Sequence, residues 1–95
     1  MAETYVVGHI TVVDPERWED YRSRVPATLA PWNAELVFRG RRAAVLAGTA
    51  PRDAIVVIRF PDRASADGWF ASAAYQALIP LRQAAAEVDL AIYET

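Results

Sequence analysis

The 95-residue sequence contains no cysteine and only one histidine, His9. The lack of cysteine excludes disulfides, thiolate catalysis and cysteine-ligated metal sites. A single histidine supplies too few nitrogen ligands for a typical zinc site within one chain. The sequence also has no glycine-rich phosphate loop and no nucleophile elbow. We therefore predict no metal site and expect no cofactor.

An excess of charge and long apolar runs are absent as well. The formal net charge is −2, which argues against nucleic-acid and anionic-membrane partners. No apolar run approaches the roughly 20 residues that span a bilayer, and the N-terminus lacks a charged and then apolar leader. We predict no nucleic-acid partner, no membrane partner and a cytoplasmic location.

Apolar residues make up 54% of the chain, which is typical of a folded globular protein. The length fits a single domain over residues 1–95. Because so short a chain buries only a modest fraction of its surface, a sheet face left uncovered would favour pairing with a second copy.

Segments with the two-residue period of strands alternate with segments that have the period of helices. Strands are predicted at residues 4–13, 35–39, 43–47, 54–60 and 88–94. Asp14, Pro15 and Glu16 form a helix start, with a capping oxygen, a proline at the first helical position and a carboxylate in the first turn. A second helical segment follows Pro61 and resumes after a break at residues 72–75.

With right-handed crossovers, this order predicts an α+β fold: a ferredoxin-like βαββαβ sandwich with an antiparallel sheet. Residues 43–47 would add an extra hairpin strand. The helices would cover only one face of the sheet. A second subunit is the economical cover for the other face, so we predict a homodimer that forms a dimeric α/β barrel.

Side-chain alternation along the predicted strands separates an apolar face from a face with polar groups. We assign to the helix-covered face Val6, Ile10, Val12, Leu36, Phe38, Val56, Ile58, Phe60, Leu90 and Ile92. We assign to the opposite face His9, Thr11, Glu35, Arg39, Ile55, Val57, Arg59, Asp89, Ala91 and Tyr93. A one-residue bulge in any strand would reverse its assignment.

Three residues on the polar face are candidates for chemistry. His9 could act as a general base near neutral pH or lie at a rim or a dimer interface. Arg59 could anchor an anionic ligand or form a structural ion pair with Glu35 or Asp89. Arg39 could anchor an anion or belong to a solvated basic turn.

Four other residues complete the set of candidates. Tyr75 and Arg82 are seven residues apart, so on a continuous helix they would face the same way. They could serve a ligand, with Tyr75 moving a proton, or tie two helical pieces to the sheet edge. Trp69 could belong to the core or to the apolar wall of a binding site. Tyr93, on the polar face, is a further candidate for ligand contact.

An ordered set of motifs across almost the whole chain resembles the small bacterial family that carries the domain-of-unknown-function number 1330. The motifs are Asp14-Pro15-Glu16, Tyr21, Phe38-Arg39-Gly40, Phe60-Pro61, Trp69, Ser72, Tyr75-Gln76 and Arg82. The resemblance implies a dimeric α/β-barrel fold, in a superfamily that includes cofactor-independent monooxygenases, haem-degrading enzymes and lactone isomerases. It implies no activity for this family, which is largely uncharacterised. Ala47 departs from the pattern, because the family tends to have glutamate there.

Three functions remain open at this level. The first is a cofactor-independent enzyme that acts on a small organic acid or aromatic metabolite, with Arg59 or Arg39 holding the anion and His9 or Tyr75 moving a proton. The second is a non-catalytic ligand-binding or accessory dimer. The third is haem binding, with His9 as the axial ligand.

Overall fold

The computed structural model describes residues 3–95. Met1 and Ala2, which belong to the predicted domain of residues 1–95, lie outside the described residues. The elements in chain order are β1 (Thr4–Val12), α1 (Pro15–Leu29), a 3-10 turn (Ala30–Trp32), β2 (Glu35–Arg41), β3 (Ala54–Phe60), α2 (Arg63–Ala71), α3 (Ala73–Gln76), α4 (Ile79–Ala85) and β4 (Ala86–Glu94).

The four strands form one antiparallel sheet in the order β2-β3-β1-β4. Because β1 and β3 are neighbours although β2 lies between them in sequence, the connections through α1 and through α2–α4 are crossovers. The predicted α+β class and ferredoxin-like arrangement are confirmed. Among residues 3–95, no helix is long and apolar enough to cross a membrane.

The predicted extra hairpin strand at residues 43–47 is wrong. β2 runs on to Arg41 and pairs directly with β3, and residues 42–53 form an exposed loop. The loop is closed by its own contacts, since the Arg42 guanidinium donates to the carbonyls of Ala50 at 2.7 Å and Arg52 at 3.1 Å. The alanines of this segment have low strand propensity, and Leu46 is 98% exposed.

The helices pack on one face of the sheet and bury a core that includes Val6, Ile58, Phe60 and Trp69. We call the other side of the sheet the open face. Trp69 is held in the core by a hydrogen bond from its indole Nε1 to Oγ1 of Thr28, at 3.0 Å. The large indole is therefore buried with its one polar atom satisfied.

A bulge in β2 changes the alternation that the sequence predicts. Leu36 is opposite Ile58, but the next paired residue is Phe38, opposite Val57, and Arg39 is opposite Val56. This shift reverses the assigned faces of two residues. Phe38 lies on the open face, and Arg39 lies on the helix-covered face.

Gly68 in α2 provides a test of the packing between this helix and the 3-10 turn. A Cβ atom on Gly68 would lie 2.6 Å from Cζ3 and 2.7 Å from Cη2 of Trp32. Although alanine favours helices by about 1 kcal/mol over glycine, we expect Gly68→Ala to lower the free energy of unfolding by about 1–3 kcal/mol, because the indole ring must move.

Gly40→Ala is the matched control, because a Cβ there would have nothing within 4 Å. Urea unfolding of both variants measures the difference. A Gly68→Ala protein as stable as the wild type would show that Trp32 does not pack against this position as described.

Candidate functional site

A cavity of about 850 Å³ lies between α1 and the helix-covered face of the sheet. Its walls come from α1, the 3-10 turn, all four strands and Trp69 of α2. The apolar and aromatic lining residues are Ile10, Val12, Trp18, Tyr21, Val25, Pro26, Leu29, Ala30, Ala34, Leu36, Ala54, Ile55, Val56, Ile58, Trp69, Val88 and Leu90. The cavity is therefore suited to an apolar or aromatic body of metabolite size.

Aromatic side chains on α1 form one side of the cavity. Trp18 and Tyr21 are stacked, with ring centroids 5.2 Å apart. Their spacing of three residues places both rings on the face of α1 that packs towards the sheet. The helix start at Asp14 fixes this orientation, since its side chain accepts a hydrogen bond from the backbone of Arg17 at 3.2 Å.

The charged lining residues are three arginines, Arg22, Arg39 and Arg41, and one carboxylate, Asp53. Arg22 forms an ion pair with Glu19 at 3.2 Å. Within residues 3–95, neither Arg39 nor Arg41 forms an ion pair with a carboxylate. The protein that surrounds Arg39 removes water from its guanidinium and so lowers its pKa, and the positive charge of Arg22 lowers it further.

The bulge in β2 explains why these arginines reach the cavity. Arg39 and Arg41 pair with Val56 and Ala54 of β3, and both of those residues line the cavity. Without the bulge, the alternation would direct Arg39 to the open face. A local irregularity of one strand therefore gives the cavity its basic groups.

A chain of three hydrogen-bonding side chains runs from the cavity into the helical layer. The hydroxyl groups of Tyr21 and Tyr75 are 2.8 Å apart, and Nη1 of Arg82 donates to the Tyr75 hydroxyl at 2.9 Å. Tyr75 is completely buried, whereas Tyr21 lines the cavity. Burial raises the pKa of Tyr21, and the adjacent Tyr75 raises it further, so Tyr21 is a neutral phenol at physiological pH.

Either hydroxyl could donate in the hydrogen bond between Tyr21 and Tyr75, and the charge of Arg82 favours donation by Tyr75. Because the guanidinium donates to the Tyr75 oxygen, it makes the Tyr75 hydroxyl a better donor towards Tyr21. The Tyr21 hydroxyl then accepts that bond and keeps its own hydrogen for another acceptor. The chain thus presents a phenol donor at the wall of the cavity.

His9, Arg59 and Tyr93 lie on the open face, away from the cavity. His9 is exposed and lies between Ile55 and Asp89 on the neighbouring strands. Arg59 forms an ion pair with Glu35, the arrangement that the sequence offered as an alternative to ligand binding.

Tyr93 is opposite Tyr5, which is opposite Arg59, so these side chains form one row across the open face. The structure therefore divides the predicted site residues between two faces of the sheet.

Trp69 lies between the main cavity and a smaller one of about 350 Å³, which Phe70 and Arg82 also line. Trp69 packs closely on Tyr75, with ring centroids 4.3 Å apart. Of the predicted site residues, Arg39 and Trp69 thus line the main cavity, and Tyr75 and Arg82 are connected to it through Tyr21.

Sequence reasoning missed four residues of these sites. Tyr21, Arg22 and Arg41 line the main cavity, and of these only Tyr21 was noted from the sequence, as a motif residue. Arg52 crosses the open face to form ion pairs with Asp89 at 2.8 Å and Glu87 at 3.0 Å. No periodic signal could have found Arg52, because it lies in the loop before β3. In residues 3–95, no group of three or more potential metal-ligating side chains occurs.

Residues 3–95 match the model of DUF1330, a domain of unknown function. The chain belongs to the DUF1330 family. The resemblance noted from the motifs is therefore confirmed over nearly the whole chain. A comparison with curated proteins finds no match.

Solved structures share the fold of this DUF1330 protein. A protein of unknown function from Rhodopseudomonas palustris has a TM-score of 0.79 at 15% identity, with 97% of this chain and 81% of the other covered. A dimeric ferredoxin-like protein of unknown function from Jannaschia has a TM-score of 0.76 at 11% identity, with 98% and 99% covered. SnoaB from Streptomyces nogalater, a cofactor-independent oxygenase, has a TM-score of 0.71 at 14% identity, with 98% and 92% covered. At these identities the likeness shows the fold alone.

The raised pKa of Tyr21 predicts how the stability of the protein depends on alkaline pH. Since the folded state holds the phenol proton more tightly than the unfolded state, the stabilisation from Tyr21 is fully present below pH ~10 and is lost as the pH rises towards the folded pKa. We expect Tyr21→Phe to cost about 1–2 kcal/mol of unfolding free energy at pH ~8, through the lost hydrogen bond.

This cost should shrink as the pH rises above ~10, because only the wild type loses the contribution of the buried phenol. Urea unfolding of both proteins across this pH range is the measurement. A difference in unfolding free energy that stays constant with pH would contradict the raised pKa of Tyr21 in the folded state.

Proposed function

We propose that this DUF1330 protein binds a small acid with an apolar or aromatic body in the main cavity and acts on it without a cofactor. Arg39 holds the acidic group, and the rings of Trp18 and Tyr21 contact the body. The observation that carries the proposal is the position of Arg39 on the wall of an apolar cavity with no carboxylate partner among residues 3–95.

The physical argument concerns the state of the Arg39 guanidinium. The surrounding protein removes part of its water, which disfavours its charged form and lowers its pKa. A ligand carboxylate would restore the lost interactions through two parallel hydrogen bonds, an arrangement that suits arginine better than lysine. Because Arg39 is only partly desolvated and stays exposed, it is accessible to such a ligand.

The hydrogen-bonded side chains of Tyr21, Tyr75 and Arg82 support a chemical role for the same cavity. Tyr21, oriented by Tyr75 and Arg82, can donate a hydrogen bond to a ligand oxygen on which negative charge develops. Tyr75 and Arg82 are positioning residues in this scheme, because they act through Tyr21. The fold also occurs in a cofactor-independent oxygenase, SnoaB, and this supports chemistry without a cofactor by analogy of fold only.

A second candidate function is ligand binding without catalysis. Apart from Asp53 and the neutral phenol of Tyr21, the described lining residues include no group suited to act as a general base. This observation favours a carrier or accessory protein. Mass spectrometry of a ligand that copurifies with the protein separates the two functions, because a carrier returns the ligand unchanged and an enzyme yields a product.

Haem binding receives less support. His9, the proposed axial ligand, lies on the open face and lines neither cavity. Ligation by His9 would therefore require haem to lie against the open face of the sheet.

We also propose that the protein forms a homodimer through its open face. The middle row of this face is apolar and consists of Phe38, Val57, Val7 and Ala91. Phe38 is 50% exposed in the single chain, so a second copy would remove apolar surface from water. A protein of the same fold from Jannaschia is dimeric, which supports a dimer by analogy of fold.

Arg39→Gln tests the ligand proposal, with 1-naphthoate as an anionic probe and 1-naphthamide as its neutral counterpart. Because a hydrogen-bonded ion pair contributes about 1.5–3 kcal/mol, we expect binding of 1-naphthoate to weaken about tenfold to a hundredfold. Binding of 1-naphthamide should change less than about twofold, since it makes no ion pair. Quenching of tryptophan fluorescence provides the measurement, because Trp18 and Trp69 both line the cavity.

Arg24→Gln is the matched control for the loss of one arginine. Arg24 lies on α1, is 60% exposed, pairs with Asp20 and does not line the cavity. Equal losses of 1-naphthoate affinity in Arg39→Gln and Arg24→Gln would contradict the role of Arg39.

Val57→Glu tests the dimer, because a carboxylate in the middle of the apolar row would be buried without a partner at the interface. We expect light scattering to show the mass of one chain for this variant and of two chains for the wild type. Ala27→Glu, on the exposed side of α1, should stay dimeric. A folded Val57→Glu protein that remains a dimer, with circular dichroism as the check on folding, would exclude this face as the interface.

A further inference from the structure

Two arginines, not one, are brought to the cavity by the bulge in β2. We propose that the cavity selects ligands with two negative charges, a dicarboxylate or a phosphate monoester, and that Arg41 is the residue that confers this selectivity. The inference rests on the proposed function, since it names the class of acid that the site of Arg39 takes.

The register of the sheet places the two guanidinium groups on the same wall. Arg39 and Arg41 are two residues apart in β2, opposite Val56 and Ala54 of β3. Positions two apart on a strand lie on one face and are separated by roughly 6.6–6.8 Å. Since an arginine side chain is long, both can reach a single phosphate group or the two carboxylates of one small molecule.

The presence of two arginines without ion-pair partners among the described residues favours a ligand with two acidic groups. Although the chain has a formal charge of −2, the described lining residues include three arginines and one aspartate. Arg22 already has a partner in Glu19. Arg39 and Arg41 form no ion pair within residues 3–95. Asp53 lowers the net charge of the lining but pairs with neither arginine. A monoanion could therefore pair with one of these two guanidinium groups, and a dianion could pair with both.

Attraction between the ligand and both arginines of β2 gives the same result. The charge of Arg22 contributes to the lowered pKa of Arg39, after the larger effect of desolvation, and the charge of Glu19 acts in the opposite direction. Each negative charge on a ligand is attracted by Arg39 and by Arg41. The second charge of a ligand should therefore raise its affinity, and the gain should depend on Arg41 and fall with added salt.

Arg41→Gln tests the inference with three probes that share one ring system: 1-naphthoate, 1,4-naphthalenedicarboxylate and 1-naphthyl phosphate at pH ~8, where the phosphate is a dianion. We expect the wild type to bind at least one dianion about tenfold or more tightly than 1-naphthoate. Arg41→Gln should lose this preference, because its affinity for the dianion should fall about tenfold or more and its affinity for 1-naphthoate by a smaller factor. Arg41→Lys, which keeps the charge, should retain part of the preference.

The pattern across probes identifies the ligand class. A preference for the phosphate alone assigns the site to phosphate monoesters, and a preference for the dicarboxylate alone assigns it to dicarboxylates. Either pattern supports the inference if Arg41→Gln abolishes it and Arg24→Gln does not.

Equal wild-type affinities for 1-naphthoate and both dianions would overturn the selectivity but leave the proposed function intact. A preference that persists in Arg41→Gln would overturn the role of Arg41. Failure of all three probes to bind would overturn the proposed function and this inference together, so the two failures are distinguishable.

Discussion

The bulge between Leu36 and Phe38 is the constraint on which the candidate site depends. A strand has a side-chain period of two, so one extra residue moves every later side chain to the other face of the sheet. In β2 this exchange takes Phe38 to the open face and brings Arg39 under the helices. The cavity gains a cation, and the open face gains an aromatic ring for its apolar row.

The helical layer supplies the buried aromatic rings and the hydrogen-bonded side chains of the candidate site. Trp69 is fixed by its hydrogen bond to Thr28, and Tyr75 packs on its ring. The short helices after residue 71 bring Arg82 to Tyr75, and Tyr75 in turn contacts Tyr21 of α1. Three separate helices therefore meet through polar atoms in a buried region, where each hydrogen bond is stronger than it would be in water.

The two faces of the sheet differ in how their charges are arranged. On the open face, Arg59 pairs with Glu35, and Arg52 pairs with Glu87 and Asp89. The opposite charges within these ion pairs neutralise each other, and the pairs lie beside an apolar row. This arrangement suits a surface that a second copy covers. In the cavity, by contrast, the described arginines of β2 have no carboxylate partner. An unbalanced charge in a concave apolar site is typical of a place where a ligand supplies the missing group.

The sequence by itself determined the fold class, most of the element order and the family, because those depend on local periodicity, helix-capping residues and motifs that can be read along the chain. It also identified Arg39, Trp69, Tyr75 and Arg82 as candidates. Only the tertiary structure decided that Arg39 lies on the helix-covered face and that residues 43–47 are not a strand. It also decided that Tyr21 connects Tyr75 and Arg82 to the cavity. A bulge depends on how two strands pair, and a contact between distant helices depends on how both helices pack. Neither feature leaves a periodic signal within one segment of the sequence.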